Sequence, residues 1–269
     1  QSAQAGRFMR KSGGQEDKMG RRFDVILLDV DGTLLDFNRS EALGIRRLLE
    51  HFGIEPLPEY LEVYHRINEG YWKAFERGEI SKERLVTERF VSFFESLGKK
   101  ADGREAENFY RSCLDGTAFL VDGADRLCAW LKERYALYIV TNGTSSTQYK
   151  RLALSGLDKY MKGIFVSEDA GSQKPQKAYF DYCFARIPEA DPNRMLLIGD
   201  SLSSDIRGGQ GAGCHTCWYN PQRKPLPDDV RPDFVIKDLA QVMDILEDDA
   251  PRCREAGGAD GGNAFSGTL

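Results

Sequence analysis

A short apolar segment that ends in two closely spaced carboxylates constrains this chain more than any other feature. Val25 to Leu28 form an apolar run of strand length, and Asp29, Asp31 and a glycine follow it. Such an unbroken run predicts a parallel strand that is buried on both faces. Carboxylates this close repel each other unless a cation lies between them. The pattern therefore predicts a divalent metal at the C-terminal edge of a sheet, where open α/β folds bind ligands. A strand that simply stops at a polar turn is the alternative.

Three later segments also combine a strand-length apolar run with polar residues. None of them is decisive alone, because turns of this composition are common. In chain order they are Leu137 to Val140 with Thr141-Asn142-Gly143, Ile164 to Val166 followed by Lys174-Pro175, and Met195 to Ile198 with Gly199-Asp200 and Asp205.

Together with the segment around Asp29, these three segments resemble the four motifs of the haloacid dehalogenase superfamily of phosphatases. The resemblance extends from Phe23 to Leu246. In this superfamily a dehalogenase expels a halide, which needs no proton, and its motif typically lacks the aspartate that stands here at Asp31. A phosphatase must protonate an alkoxide, so Asp31 favours phosphate-ester hydrolysis. A phosphomutase uses the same two aspartates and stays open as an alternative.

The resemblance implies a role for each motif residue. Asp29 would be the nucleophile that forms an aspartyl phosphate, and Asp31 would protonate the leaving alkoxide and later deprotonate water. Lys174 would neutralise the nucleophile and the phosphate together. Thr141 and the backbone N–H of Asn142 would hold phosphoryl oxygens.

The resemblance also implies Mg²⁺ as the cofactor. The ion would bind Asp29, the main-chain carbonyl of Asp31, and Asp200. Asp205, the fourth candidate at the metal, would orient the water shell or Lys174.

Helical patterns alternate with the apolar runs after Ala118, and this predicts an α/β fold. The expected structure is a Rossmann-like parallel sheet flanked by helices on both faces. The chain between Asp36 and Ala118 is helical in pattern throughout, which makes it an inserted all-helical cap domain of the kind the superfamily carries. The predicted helices of the alternating part are Ala124 to Arg134, Ser145 to Ser155 and Gln176 to Arg186.

These patterns divide the chain into predicted domains. The core domain comprises residues 21–35 and 119–250, and the cap domain comprises residues 36–118. Residues 1–20 and 251–269 are rich in Gly, Ser and charge, which predicts disordered or expression-derived tails. Inside the cap, Ser40 is expected to cap a helix that closes at Gly53, and Ser81 to cap a second one. The apolar stripe of that second helix is Phe90, Phe93, Phe94 and Leu97, and its phenylalanines are expected in the core.

Composition narrows the class of partner. Lys and Arg number 37 against 42 Asp and Glu, a net charge of −5, so the chain lacks the basic field that a nucleic-acid polymer requires. A small-molecule phosphate ester is the expected partner. The apolar runs of the chain are far shorter than the roughly 20 residues that span a bilayer, and no signal peptide is visible. These features, and six scattered cysteines without a regular framework, predict a cytoplasmic enzyme with reduced thiols and no membrane partner.

Two local patterns invite other interpretations. Cys214 and Cys217 have metal-site spacing but fall on an expected strand, where residues three apart point to opposite faces, so they should not share an ion. The glycine run from Gly208 to Gly213 has the wrong spacing for a dinucleotide fingerprint, and it follows a helix and precedes a strand.

Substrate choice rests on a narrower resemblance and on the cap. Three segments resemble the pyrimidine-nucleotidase branch of the superfamily: Val140 to Gly143, Thr147 to Leu152, and Ile164 to Gly171 with Gln173-Lys174-Pro175. Asn68, Tyr71, Trp72 and Phe75 share one helical face, where an amide and rings could contact a base. Packing inside the cap is the alternative for these residues.

Other functions stay open. Sugar phosphates and phosphoglycolate are alternative substrates. An inactive protein that keeps the fold is a rival, although every charged motif residue is present. A serine or cysteine hydrolase would need a base from His51, His65 or His215, and the first two fall on cap helices, where a surface or packing role is expected.

Overall fold

The chain folds around a six-stranded sheet. The structure is a computed structural model that describes residues 21–188 and 190–248, so both predicted tails lie outside the described residues. The strands run in the order β3-β2-β1-β4-β5-β6, and every neighbouring pair is parallel. They are β1 Val25–Leu28, β2 Ala136–Thr141, β3 Gly163–Val166, β4 Met195–Gly199, β5 His215–Tyr219 and β6 Phe234–Ile236. The predicted Rossmann-like fold is confirmed.

Helices cover the sheet and form the insertion. Four helices follow β1 and form the insertion: α1 Phe37–His51, α2 Pro58–Glu76, α3 Lys82–Ser96 and α4 Gly103–Asp115. Six others follow: α5 Ala124–Lys132, α6 Ser145–Ser155, α7 Ser167–Ala170, α8 Lys177–Phe184, α9 Arg207–Gly211 and α10 Gln241–Asp248. Within residues 21–188 and 190–248, none of the helices is long and apolar enough to cross a membrane.

The alternation of side chains along each strand builds two apolar cores. Ile26 and Leu28 belong to one cluster, with α5 and α10, whereas Val25 and Leu27 belong to the other, with α8. Period-two alternation puts successive residues on opposite faces, and both faces of a parallel sheet are covered. Cys217 lies in the first cluster and Cys214 in the second, which confirms that the two thiols face opposite sides.

The insertion has an apolar core of its own. Tyr64, Phe90, Phe93 and Phe94 are at most 1% exposed and pack together with Tyr110. The predicted core role of the three phenylalanines is confirmed. Because these helices pack mainly on one another, we propose the insertion as the separate cap domain of residues 36–118.

Local signals account for the helix ends with one correction. The Ser81 side chain accepts from the backbone N–H of Arg84, as expected. Helix α1 begins earlier than predicted, because Asp36 caps it by accepting from the backbone N–H of Arg39 at 3.0 Å. Ser40 therefore lies inside the helix rather than at its cap. The aspartate prevails because carboxylates bind the free N–H groups of a first turn well.

The glycine run begins inside helix α9, which ends at Gly211, and it continues past the helix to Gly213. Gly208 and Gly209 lie in α9, and a Cβ at either position would approach Phe180 or Leu197 to 2.9 Å. These glycines therefore permit close packing of α9 on the sheet.

Candidate active site

Parallel strands place the motif residues at one edge of the sheet. Asp29 follows β1, Thr141 ends β2 and Asp200 follows β4, and β1 lies between the other two strands. The register pairs Leu28 with both Ile139 and Ile198, so all three strands end close together. The carboxyl edge of the sheet therefore collects the predicted residues, which is where ligands bind in open α/β folds.

Lys174 is the electrostatic centre of this edge. Its Nζ donates to Asp29 Oδ1 at 2.8 Å, to Asp205 Oδ1 at 2.6 Å and to the Val140 carbonyl at 2.8 Å. The residue is 1% exposed. Burial opposes its charge, but the attraction of Asp205 and Asp29 raises its pKa above the usual value, so the ammonium persists. The lysine thus balances carboxylates that would otherwise be buried unpaired.

Three carboxylates surround a space that suits a cation. One oxygen each from Asp29, Asp200 and Asp205 lie within 4.8 Å of one another. Burial, partly offset by Lys174 and reinforced by Asp205, raises the pKa of Asp29 to about 7. Burial and the charge of Asp29 also raise the pKa of Asp200. Groups that resist ionisation together are stabilised by a hard divalent cation with oxygen ligands, so this donor set fits Mg²⁺.

The turn after β1 is shaped for this cluster. Gly32 has a φ of +90°, and a Cβ there would lie 2.5 Å from Asp200 Oδ2. Glycine is thus required both by the backbone conformation and by the close approach of the carboxylate. Thr33 follows and donates from Oγ1 to Asp29 Oδ2 at 3.0 Å, so both oxygens of Asp29 have donors.

Asp31 has partners that sequence reasoning missed. Gln148 Nε2 donates to Asp31 Oδ2 at 2.7 Å, and Arg151 Nη1 donates to Asp31 Oδ1. Both donors lie on α6, one turn apart. Their positions were visible in the segment Thr147 to Leu152, but nothing local in that pattern indicates contact with Asp31.

The loop after β2 joins the candidate phosphate-binding residues to Lys174. The Asn142 side chain donates to the Lys174 carbonyl and accepts from the Lys174 N–H, each at 2.9 Å. Thr141 Oγ1 accepts from the Gly143 N–H at 3.1 Å and from Gln148 Nε2 at 2.8 Å. The predicted core residues therefore line one cavity wall, where one hydrogen-bonded group centres on Lys174 and a second joins Thr141 to Asp31 through Gln148.

A cavity of about 250 Å³ lies between this edge and the insertion. The sheet contributes the predicted catalytic, phosphate-binding and metal-binding residues to its wall. The insertion contributes Phe37, Glu41, His65, Asn68, Glu69, Trp72 and Glu76. This volume suits a small ligand between the two halves of the molecule, and small-molecule sites commonly occupy such clefts.

The four residues predicted on the face of α2 have different surroundings. Asn68 and Trp72 line the cavity, but Tyr71 and Phe75 are outside its described wall. Tyr71 is hydrogen-bonded to Ser92 Oγ at 2.9 Å, and Phe75 is buried. Tyr71 thus belongs to cap packing, because a helical face wide enough for four side chains also meets the neighbouring helix.

Asn68 is itself held by the cap. Its amide donates to Glu41 Oε1 at 2.7 Å, and its carbonyl accepts from Arg89 Nη1 at 2.8 Å. Glu41 also pairs with His65 at 2.7 Å, and Arg89 pairs with Glu107 at 2.6 Å. Asn68 therefore belongs to a chain of paired polar side chains in the cavity wall, and both ends of its amide already have a partner in the insertion.

Histidines and cysteines are placed away from the nucleophile, with one exception. His51 stacks on Phe109 with ring centroids 3.9 Å apart, and His215 pairs with Asp233. The His65 side chain is 54% exposed, as a surface role requires, and it also lines the cavity and pairs with Glu41. The five described cysteines are buried and free, and Cys253 lies outside the described residues.

Two further contacts connect the insertion with the loops at the carboxyl edge of the sheet. Lys82, the first residue of α3, donates from Nζ to the Asn142 carbonyl and lies 4.2 Å from the centroid of the Trp72 ring. Gln173 Nε2 donates to the Phe75 carbonyl at 3.1 Å. Both contacts join residues far apart in sequence, so sequence pattern alone did not indicate them.

Comparison with known proteins places this geometry in a family context. Residues 23–213 match the haloacid dehalogenase-like hydrolases. YfnB of Bacillus subtilis, named as a HAD-hydrolase, is 46% identical, with 84% of this chain and 96% of YfnB covered. A crystal structure of YfnB bound to magnesium, described as revealing interdomain movement, has a TM-score of 0.81 and covers 84% of this chain and 99% of that one.

Two other relatives have assigned substrates. The pyrimidine 5'-nucleotidase PynA of Streptococcus pneumoniae is 34% identical, with 84% of this chain and 95% of PynA covered. The pyrimidine 5'-nucleotidase YjjG of Escherichia coli is 30% identical, with 84% of this chain and 98% of YjjG covered.

Proposed function

This chain belongs to the haloacid dehalogenase-like hydrolases, and we propose that within this family it is a Mg²⁺-dependent phosphomonoesterase that acts through an aspartyl phosphate. The observation that carries the proposal is the contact of buried Lys174 with both Asp29 and Asp205, beside Asp200. A phosphoryl group that transfers in such a site meets a nucleophile and compensating positive charge together.

The metal site follows from the donor set. Asp29, Asp200 and the main-chain carbonyl of Asp31 are the proposed ligands, and Asp205 holds Lys174 and the backbone N–H of Ser201. When bound, Mg²⁺ supplies positive charge to the phosphoryl oxygens and offsets the repulsion among the carboxylates.

The first half-reaction uses both aspartates. An oxygen of Asp29 attacks phosphorus, and the bond from phosphorus to the leaving oxygen breaks. Asp31, entering this step protonated, transfers its proton to that oxygen, so the product leaves as a neutral alcohol. Lys174 and the Thr141 hydroxyl stabilise the charge on the nucleophile and on the phosphoryl oxygens.

The second half-reaction restores the enzyme. Asp31, now a carboxylate, takes a proton from a water molecule that attacks phosphorus. The bond from phosphorus to Asp29 breaks, inorganic phosphate is released, and Asp31 is again protonated. A phosphomutase would return the phosphoryl group to a second substrate alcohol, so release of inorganic phosphate separates the two activities.

We further propose a pyrimidine nucleoside 5'-monophosphate as the substrate. Similarity to PynA and YjjG supports this choice. The cavity supports it physically, since the described lining residues from the insertion include three acids, Glu41, Glu69 and Glu76, and no Lys or Arg. Such a wall favours an uncharged leaving group with hydroxyl or N–H donors, as a nucleoside has, over the carboxylate of phosphoglycolate.

A phosphate-release screen tests both levels of the proposal. Uridine and thymidine monophosphates are compared with hexose phosphates, phosphoglycolate and its uncharged analogue 2-hydroxyethyl phosphate, with Mg²⁺ present. We expect the two nucleotides to have the highest kcat/KM and 2-hydroxyethyl phosphate to exceed phosphoglycolate. Hexose phosphates or phosphoglycolate ahead of every pyrimidine nucleotide would overturn the substrate choice alone. Absence of phosphate release from all of them would count against the phosphatase.

A further inference from the structure

The segment Thr147 to Leu152 has two members that contact the proposed proton-transfer residue. Gln148 and Arg151 each donate to a different oxygen of Asp31. Resting on the aspartyl-phosphate chemistry proposed above, we propose that Gln148 and Arg151 are positioning residues that hold the Asp31 carboxylate for proton exchange with the leaving group and with water.

The arginine is held in a way that fits this role. Arg151 is 1% exposed, and its Nε donates to the Thr117 carbonyl at 3.2 Å, which fixes the guanidinium plane. Its Nη2 is buried without a hydrogen-bond partner. An unpaired buried donor costs free energy, and the guanidinium keeps its ion pair with Asp31 despite that cost.

Gln148 connects the proposed proton-transfer residue with a candidate phosphate-binding residue. Gln148 Nε2 donates to Asp31 Oδ2 at 2.7 Å and to Thr141 Oγ1 at 2.8 Å, and its Oε1 accepts from Arg151 Nη1 at 3.3 Å. One amide therefore sets the distance between the proton-transfer group and a candidate phosphate-binding hydroxyl. Gly143 allows this, because a Cβ there would lie 2.3 Å from Gln148 Nε2.

The consequence for chemistry is specific to the leaving group. A free aspartate side chain samples several rotamers, whereas donors on both oxygens select one. An alkoxide leaving group depends on a well-placed acid, but p-nitrophenolate leaves without a proton. Loss of the two donors should therefore slow alkyl phosphates far more than p-nitrophenyl phosphate.

The experiment compares Arg151→Gln and Gln148→Leu with Lys150→Gln, an exposed residue of the same helix that pairs with Asp115. The measured quantity is kcat/KM, because it covers only steps up to departure of the leaving group. For the best alkyl phosphate of the screen, misplacement of the acid should lower it by about 10- to 100-fold in both variants. For p-nitrophenyl phosphate we expect a much smaller loss, because this substrate shares only the phosphate-binding contact of Gln148 with Thr141, and Lys150→Gln should match the wild type on both.

Two results would overturn the proposal: equal losses on both classes of substrate, or the same loss again when the variants are made on an Asp31→Asn background. Gln148→Leu leaves the buried arginine in place, so it carries the test if Arg151→Gln does not fold. Before the variants are compared, the wild type is shown to be active and Asp29→Asn is shown to abolish that activity. A flat response of the two variants then counts against the positioning role and leaves the phosphatase standing.

Discussion

The Lys174 ammonium lies 2.8 Å from Oδ1 of Asp29, although the two residues are 145 positions apart in the chain. This contact joins the strand-end carboxylate to a loop on the far side of β2. It holds the proposed nucleophile in a fixed orientation and keeps it next to positive charge. Removal of either partner should therefore affect chemistry, and loss of Lys174 would also leave the buried carboxylates of Asp29 and Asp205 unpaired.

Asp29→Asn should abolish turnover while the fold is retained. The amide has nearly the volume of the carboxylate but is a poor nucleophile, and loss of a nucleophile costs several powers of ten in kcat. Phosphate release and circular dichroism measure the two effects. Retention of more than about a hundredth of wild-type activity would contradict the covalent mechanism.

Asp31→Asn should remove the proton-transfer contribution, on the order of 10²- to 10⁴-fold for substrates with alkoxide leaving groups. The loss in kcat/KM should shrink as the leaving group becomes more acidic. A series of phosphate esters of graded leaving-group pKa measures this slope. Uniform loss along the series would argue against the role of general acid.

Metal removal should abolish activity, because Lys174 alone then offsets the repulsion among Asp29, Asp200 and Asp205 at the phosphoryl position. Excess chelator followed by Mg²⁺ addition is the measurement, and activity should return with the ion. Beryllium or aluminium fluoride should inhibit by occupying the phosphoryl position on Asp29. Full activity in excess chelator refutes this part of the mechanism.

Gly32→Ala should weaken the binding of Mg²⁺ by displacing the carboxylate of Asp200. A Cβ at Gly32 would lie 2.5 Å from Asp200 Oδ2. We expect half-maximal activity at roughly 10- to 100-fold higher Mg²⁺. Gly78→Ala is the matched control, since Gly78 has a φ of +75° but open space around it. It should cost about 1–2 kcal/mol of stability and leave the Mg²⁺ dependence unchanged.

Trp72→Ala should raise KM for uridine monophosphate more than it lowers kcat. The ring lines the cavity from the insertion and belongs to none of the groups proposed to perform the chemistry, so we expect its contact to be equal in the ground and transition states. Tyr71→Phe, which loses only the contact with Ser92, should leave KM unchanged. A fall in kcat without a change in KM for Trp72→Ala would place the ring elsewhere in the mechanism.

Much of the sheet edge could be predicted from sequence for a physical reason. Apolar runs such as Val25–Leu28 define buried parallel strands, and parallel strands bring their carboxyl ends together whatever the loops between them do. Residues placed directly after such runs, Asp29 and Thr141 among them, are thereby positioned by topology alone.

The rest depended on contacts that no local pattern encodes. Glu41, His65 and Arg151 reach the site through helix packing, which is set by the three-dimensional fit of side chains. Tyr71 failed as a cavity residue for the same reason, because its helical face meets α3. Ser40 lost the cap to Asp36, four residues earlier, since both residue types are good caps and only the turn geometry chooses between them.

The separate apolar cores of the sheet and the insertion bear on how this protein can evolve. The catalytic carboxylates rest on the sheet, whereas Trp72 and His65 rest on helices that pack around Tyr64 and Phe93. Effects of substitutions at sites that share no contacts are close to additive. Changes in the insertion that keep the contacts of Lys82 with Asn142 and of Gln173 with Phe75 can therefore accumulate without weakening the sheet edge that carries out phosphoryl transfer. A mutant library confined to the residues of the insertion that line the cavity should change the range of substrates while the chemistry stays intact.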